Sequence, residues 1–299
     1  MRRKKKEHVI DILGYIVFYG FFNVLKALPG IFYPVISKIT GYFFYYSIPS
    51  LRKKIKKNLD AAYEGCLSQK QKKRLIKKII EKQVFFFTEW ALWAKMEKQK
   101  ALGLVEFDNI HPLKKVVFSK KPVVIVSAHI GNFAVMIAAL TYIGLPLTWI
   151  ARDANNEYLA RFMDRTRKKK GIFGISKKNL YQAIAESSLW LKKGNSLCLL
   201  IDQHSGRGTN VLFFGKKVQA PTGPAIFARK YDAMVFGAFI QHLRGFKHKI
   251  FIEGPYEIVK TNNSEQDIRE NTQFFYKRIE HYIKQKPEEW FTWLHRRFR

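Results

Sequence analysis

The apolar and polar positions divide this chain into an N-terminal lipid-like part and a longer part with strand and helix periods. Residues 12 to 25 (ILGYIVFYGFFNVL) are almost unbroken apolar, bounded by Asp11 and Lys26. A second apolar stretch, 27 to 50, is interrupted by Pro29, Pro34 and Lys38. A spanning helix needs roughly 20 apolar residues, so the first run is short for one. Two arrangements fit: one tilted span with Lys26 snorkelling, or a helical hairpin in the membrane interface. The length favours the shallow arrangement. Residues 51 to 98 predict two helices, with Ile76, Ile79, Ile80 and Val84 at helical spacing. The aromatic run Phe85 to Trp93 suits either a helix packed on a sheet or the lining of a lipid or acyl-chain groove.

From residue 103 the pattern alternates. It predicts strands at 122–128, 147–151, 197–201, 211–214, 234–240 and 248–253. It predicts helices at 132–143, 155–169, 178–193, 222–231 and 265–285. Such alternation argues for an α/β sheet with helices on its faces. The one clear compositional shift falls near residue 50. It separates a membrane-associated helical segment, 1–50, from an α/β domain, 51–299.

Charge narrows the partners. The 299 residues carry Lys+Arg 54 against Asp+Glu 23, a net charge of +31. That balance points to nucleic acid, an anionic membrane surface, or an acidic substrate or carrier protein. Basic residues Arg2 to Lys6 and Arg52 to Lys57 flank the apolar region and suit an anionic cytoplasmic leaflet. The two cysteines, Cys66 and Cys198, are far apart in the chain. They suggest neither a disulfide framework nor a zinc site. The basic N-terminus resembles the start of a signal sequence, but no small-residue cleavage site follows.

The chemistry gathers at strand ends. Val123 to Val126 is a buried-strand pattern that runs through Ser127 and Ala128 to His129. A lone His near an apolar strand is usually structural. Here, Gly131 and Asn132 follow, Asn132 placed to cap the next helix and leave free N–H groups beside the imidazole. A neutral His there can act as a general base. A second strand ends in Asp202-Gln203, before a two-glycine loop that carries Arg207. If the sheet is parallel, both ends meet at one crevice, with Arg152 after the strand 147–151 on the same edge. His204 reads as a loop residue, since no second metal ligand has a recognisable spacing. Thr222 reads as a helix cap ahead of Pro224. The end, Pro287 to Arg297, suits either a membrane surface or a docked C-terminal segment.

Ser127-Ala128-His129-Ile130-Gly131-Asn132-Phe133 resembles the His-x-Gly-Asn-aromatic-Glu block of the lipid A biosynthesis (lauroyl/myristoyl, or late) acyltransferases. Asp202-Gln203, Phe213-Phe214-Gly215, Pro221 to Ala225 and Pro287 to Arg297 match the same family in the same order. The resemblance implies a glycerol-3-phosphate acyltransferase-like αβα sandwich on the cytoplasmic face of the bacterial inner membrane. It implies transfer of a fatty acyl chain from acyl carrier protein to a hydroxyl of a Kdo-bearing lipid A precursor. No cofactor, metal or nucleic acid is implied; the expected partners are acyl-carrier protein, the glycolipid acceptor and anionic membrane lipids. His129 becomes the base, Asn132 a support for the turn or substrate, and Asp202, Gln203 and Thr222 substrate-binding. Arg152 and Arg207 become contacts for a phosphate or the oxyanion. Other members use acyl-CoA or other glycolipids.

One position departs from the family. Its pattern is His, four residues, then Asp or Glu, and Ala134 stands where that acid belongs. Residues five apart lie about 140° from each other on a regular helix, so the acid needs the intervening turn to reach the His. Ala134 leaves three readings. The chain is an inactivated variant, it is a natural non-catalytic binder of glycolipid or membrane surface, or another carboxylate such as Asp202 or Asp153 supplies the charge. The first two predict an impaired enzyme.

Overall fold

The computed structural model describes residues 2–151 and 154–298, with residues 2–8 described by their backbone alone. Its helices are α1 (Arg2–Ala27), α2 (Tyr33–Ser47), α3 (Pro49–Ala62), α4 (Gln69–Lys95), α5 (Lys98–Leu102), α6 (Ile110–Phe118), α7 (Phe133–Tyr142), α8 (Glu157–Lys168), α9 (Leu180–Lys192), α10 (Gly223–Tyr231) and α11 (Ser264–Gln285). Its strands are β1 (Val105–Asp108), β2 (Val123–Ser127), β3 (Leu147–Ala151), β4 (Phe173–Ser176), β5 (Ser196–Leu200), β6 (Thr209–Phe213), β7 (Lys216–Ala220), β8 (Met234–His242) and β9 (His248–Tyr256).

Seven strands form one sheet in the order β1-β9-β8-β2-β5-β3-β4, and β6 pairs with β7 in a separate hairpin. Within the large sheet only β8 and β9 are antiparallel neighbours. β2 lies at the centre and is buried along its whole length. Its side chains alternate between two cores. Val124 and Val126 pack with β5, α10 and α11, whereas Val123 and Ile125 pack with α6 and α7. A strand buried on both faces reads as continuous Val/Ile, as this one does. The result is the expected α/β sandwich with an apolar helix at its N-terminus.

β1, β4, β7, α5 and α6 lie outside the sequence expectation. β1 and β4 are edge strands of only 4 residues, too short to show a period. β7 (Lys216–Ala220) is half polar and draws its order from pairing with β6.

At the N-terminus, Val9–Ala27 is, among the described residues, the one helix long and apolar enough to cross a membrane. Most of its apolar residues are exposed, as are Ile31, Phe32, Val35, Ile39 and Phe43 on and before α2. The inner side of α1 is anchored: Phe22 and Leu25 are buried, and the Phe22 ring lies 4.8 Å from Trp90 on α4 and 5.1 Å from Phe162 on α8. The two predicted helices of 51 to 98 are α3 and α4. Ser68 caps α4 through a capping box with Gln71.

Candidate active site

Strand register brings the site together. In the parallel pair β2–β5, Ser127 lies opposite Leu200. Two residues further along each strand stand His129 and Asp202. His129 Nδ1 is 2.7 Å from Asp202 Oδ1, and the His129 backbone N–H donates to the same oxygen at 3.1 Å. The other carboxylate oxygen, Oδ2, accepts from Trp290 Nε1 at 2.7 Å and from Thr292 Oγ1 at 2.6 Å. Asp202 has no exposed surface. Burial alone would raise its pKa; the charge of His129 and the bonds from His129, Thr292 and Trp290 outweigh that and hold it well below the usual carboxylate range. With Nδ1–H given to Asp202, Nε2 of the partly exposed imidazole is the atom left to take a proton.

The loop that carries His129 is clamped on three sides. Gly131 N–H donates to Glu289 O, and Phe291 N–H donates to His129 O. Gly131 has φ 56°, and a Cβ there would lie 2.4 Å from Ile240 O, so only glycine fits. The segment that supplies Glu289, Trp290, Phe291 and Thr292 is therefore docked, not a surface tail. Trp290 and Trp293 are fully buried, and Asn58 on α3 donates to the carbonyls of Trp293 and His295.

Beside the imidazole lies an apolar pocket of about 330 Å³ between α4, α7 and α8. Phe133 and Phe291 join the two: their rings are 4.9 and 6.2 Å from the His129 ring, and both line the pocket. Phe86, Trp90, Trp93, Trp149 and Met163 form other walls. Ala134 and Ala138, one helical turn apart on α7, leave its side open. The aromatic run of α4 thus does both things expected of it, packing on the sheet and lining a groove. Among the described residues no cluster of His, Cys, Asp and Glu could hold a metal ion.

Several expectations change. Asp202 does not face a substrate; it is enclosed and turned onto His129. Asn132 caps α7 as expected, accepting from Val135 N, but it is 4% exposed and its amide is used up. Its Nδ2 donates to Phe86 O and Glu89 Oε2, so no polar group is left for substrate. Thr222 stands at the cap position of α10 without a cap hydrogen bond, because its backbone (φ −99°, ψ 0°) is helical rather than extended. Thr222 belongs neither to the hydrogen bonds around Asp202 nor to the pocket lining. Gln203 is half-buried next to Asp202, and Arg207 is exposed in the following loop. Arg152, like Asp153, lies outside the described residues. Trp290 and Thr292 complete the surroundings of His129, and Glu89 and His248 those of Asn132. Trp290 and Thr292 lie in the Pro287 to Arg297 block of the resemblance, but no local pattern marks any of the four as a site residue, since each reaches the site across the fold.

Comparison with curated proteins finds no match. The family model of the bacterial lipid A biosynthesis acyltransferases does match, from residue 2 to residue 299. A match over nearly the whole length leaves no part of the fold to another origin, and the chain belongs to the bacterial lipid A biosynthesis acyltransferase family.

Proposed function

We propose that this protein is an active acyltransferase that moves a fatty acyl group from acyl carrier protein to a hydroxyl of a lipid A precursor, a late acylation at the cytoplasmic face of the inner membrane. The observation that carries this reading is the His129–Asp202 pair beside an apolar pocket. The acyl chain enters the pocket and its thioester carbonyl stays near the imidazole. His129 Nε2 takes the proton of the acceptor hydroxyl as that oxygen attacks the carbonyl carbon. The tetrahedral intermediate then expels the thiolate of the donor, which takes the proton back from the imidazolium. Asp202 keeps the proton on Nδ1 and stabilises the imidazolium. The N–H groups of Phe133 and Ala134, in the first turn of α7, have no intrahelical acceptor and suit the oxyanion.

The third reading of Ala134 is therefore the one adopted: Asp202 supplies the charge. Arg207 and Arg152 remain the proposed contacts for the acceptor's phosphate. The division at residue 50 is kept, with 1–50 as the membrane-associating part. The exposed apolar faces of α1 and α2 support a shallow seat in an anionic leaflet, and the net charge of +31 favours both that surface and an acidic carrier protein.

The test is acyl transfer by the purified full chain, with acyl-carrier-protein and acyl-CoA donors offered separately to a lipid A precursor. An ester product seen by mass spectrometry that needs His129 supports the reading. Membrane or glycolipid binding without any product would instead make the chain a non-catalytic binder. The variant Ala134→Glu is expected to be no faster than wild type, because Nδ1 already has its carboxylate and the new side chain enters the apolar pocket. A steep rise in kcat would show that Asp202 is not enough.

A further inference from the structure

We propose that Glu89, held by His248, is a positioning residue for this reaction: it fixes the amide of Asn132 and thereby aims the first N–H groups of α7 at the pocket. The inference rests on the acyl-transfer reading above.

Glu89 on α4 and His248 at the start of β9 are both fully buried. Glu89 Oε1 lies 2.6 Å from His248 Nε2, and Glu89 Oε2 lies 2.8 Å from Asn132 Nδ2. A buried carboxylate is costly, and an apolar pair would often serve packing as well or better. This one makes no contact with Asp202 and takes no part in the proton transfer. Its hydrogen bonds lead instead to the cap of α7.

An asparagine amide has two orientations of nearly equal shape and opposite hydrogen bonding. The cap needs Oδ1 turned to Val135 N, 3.3 Å away. Phe86 O, at 3.2 Å from Nδ2, selects that orientation weakly. The Glu89 carboxylate selects it strongly, since a charged acceptor makes the shorter and stronger bond. His248 completes the set. Its Nδ1 is buried without a partner, so a proton on Nε2 leaves only a lone pair unsatisfied there. A proton on Nδ1 would strand a donor, the costlier arrangement for a buried group. Nε2–H therefore donates to Glu89, which accepts from both sides and cannot turn. Phe133 and Ala134 follow Asn132 directly and line the pocket. Their N–H groups point where the cap aims them.

The experiment exchanges donor and acceptor. In Glu89→Gln, Oε1 stays with His248, so two NH₂ groups face each other and Asn132 must flip away from its cap. In Asn132→Asp the cap oxygen remains, but two carboxylates face each other. In the double variant, the amide introduced at position 89 donates to the carboxylate introduced at position 132, which still caps α7. Single-turnover kcat and donor KM are measured for wild type, both singles and the double, with circular dichroism and Tm as folding controls. Each single is expected to lose about 10- to 100-fold in kcat, the scale of a sub-ångström to 1 Å misplacement, with donor KM unchanged. The double is expected to recover to within about tenfold of wild type, since Phe86 O still lacks the donor that Asn132 gave it, and to stay well above the product of the two singles, the signature of two coupled positions.

A wild-type rate in Glu89→Gln, or a folded double variant as slow as the product of the two singles, overturns the inference. If a single variant does not fold, the double decides alone. A kcat within about tenfold of wild type and a normal KM in the double support the coupling, and a slower kcat in a folded double refutes it. A wild-type protein no faster than His129→Ala would sink the acyl-transfer reading and this inference with it. Wild-type turnover with an additive cycle sinks this inference only.

Discussion

Asp202→Asn is expected to lower acyl transfer by about 10⁴-fold, or roughly 5 kcal/mol of transition-state stabilisation, while leaving donor KM nearly unchanged. The reason is the number of donors around the carboxylate. His129 Nδ1, His129 N, Trp290 Nε1 and Thr292 Oγ1 all turn toward its two oxygens. An asparagine keeps one oxygen and replaces the other with an NH₂ group. The indole N–H and the His129 backbone N–H can both only donate, so either orientation of the amide leaves one of them without an acceptor. The neutral amide also cannot stabilise the imidazolium that forms when His129 takes the proton. Kinetics of the purified variant check this, with circular dichroism to show that the fold persists. An activity within tenfold of wild type would mean that Asp202 orients a loop and nothing more. His129→Ala should be at least as slow, and the two changes together no slower than His129→Ala alone, because one proton transfer is lost only once.

Ala138→Phe is expected to lower use of the longest acyl donors by about 100-fold while sparing short ones. Ala134 and Ala138 form the open side of the pocket, facing Phe86, Trp90 and Trp149. A phenyl ring at 138 takes space from the chain. Excluding about four methylenes costs about 3 kcal/mol at ~0.8 kcal/mol for each, or on the order of 10²-fold in kcat/KM for the longest donors. A series of acyl donors of rising length reads the effect as a shift in preference. An equal loss for every length would mean that the ring distorts α7 and the oxyanion groups, not the pocket. An unchanged preference would place the acyl chain elsewhere. The α1 helix adds a second control. Phe22 backs Trp90, so Phe22→Ala should loosen the pocket wall and relax the length preference without touching the imidazole.

Much of this fold was legible because its periods are strong. Five helices from α7 onward fall within two residues of their expected ends, and the central strand reads as an uninterrupted apolar run ending at His129. The elements that were missed owe their structure to neighbours. β7 exists because β6 pairs with it, and β1 because β9 runs beside it. The aromatic tail was ambiguous for the same reason. Trp290 and Trp293 suit a membrane surface as well as a core until the space between Phe213, Tyr63 and Asp202 is known to hold them.

The site divides along the same line. By itself, the sequence determined the family, the α/β class, the apolar N-terminus and the position of His129 at a strand end. Each of these is carried by local pattern or by blocks of residues in order. The partner of that histidine was not determined in this way. The acid expected five residues away is absent, and Asp202 is distant in the chain. Only the parallel register, Ser127 against Leu200, sets His129 beside Asp202. The folded-back C-terminal segment adds the bonds from Trp290 and Thr292 to the charge and bonds of His129, and together they keep that carboxylate ionised in a buried place. A strand's register and the docking of a distant segment minimise the energy of the whole molecule, and neither leaves a period in the local sequence.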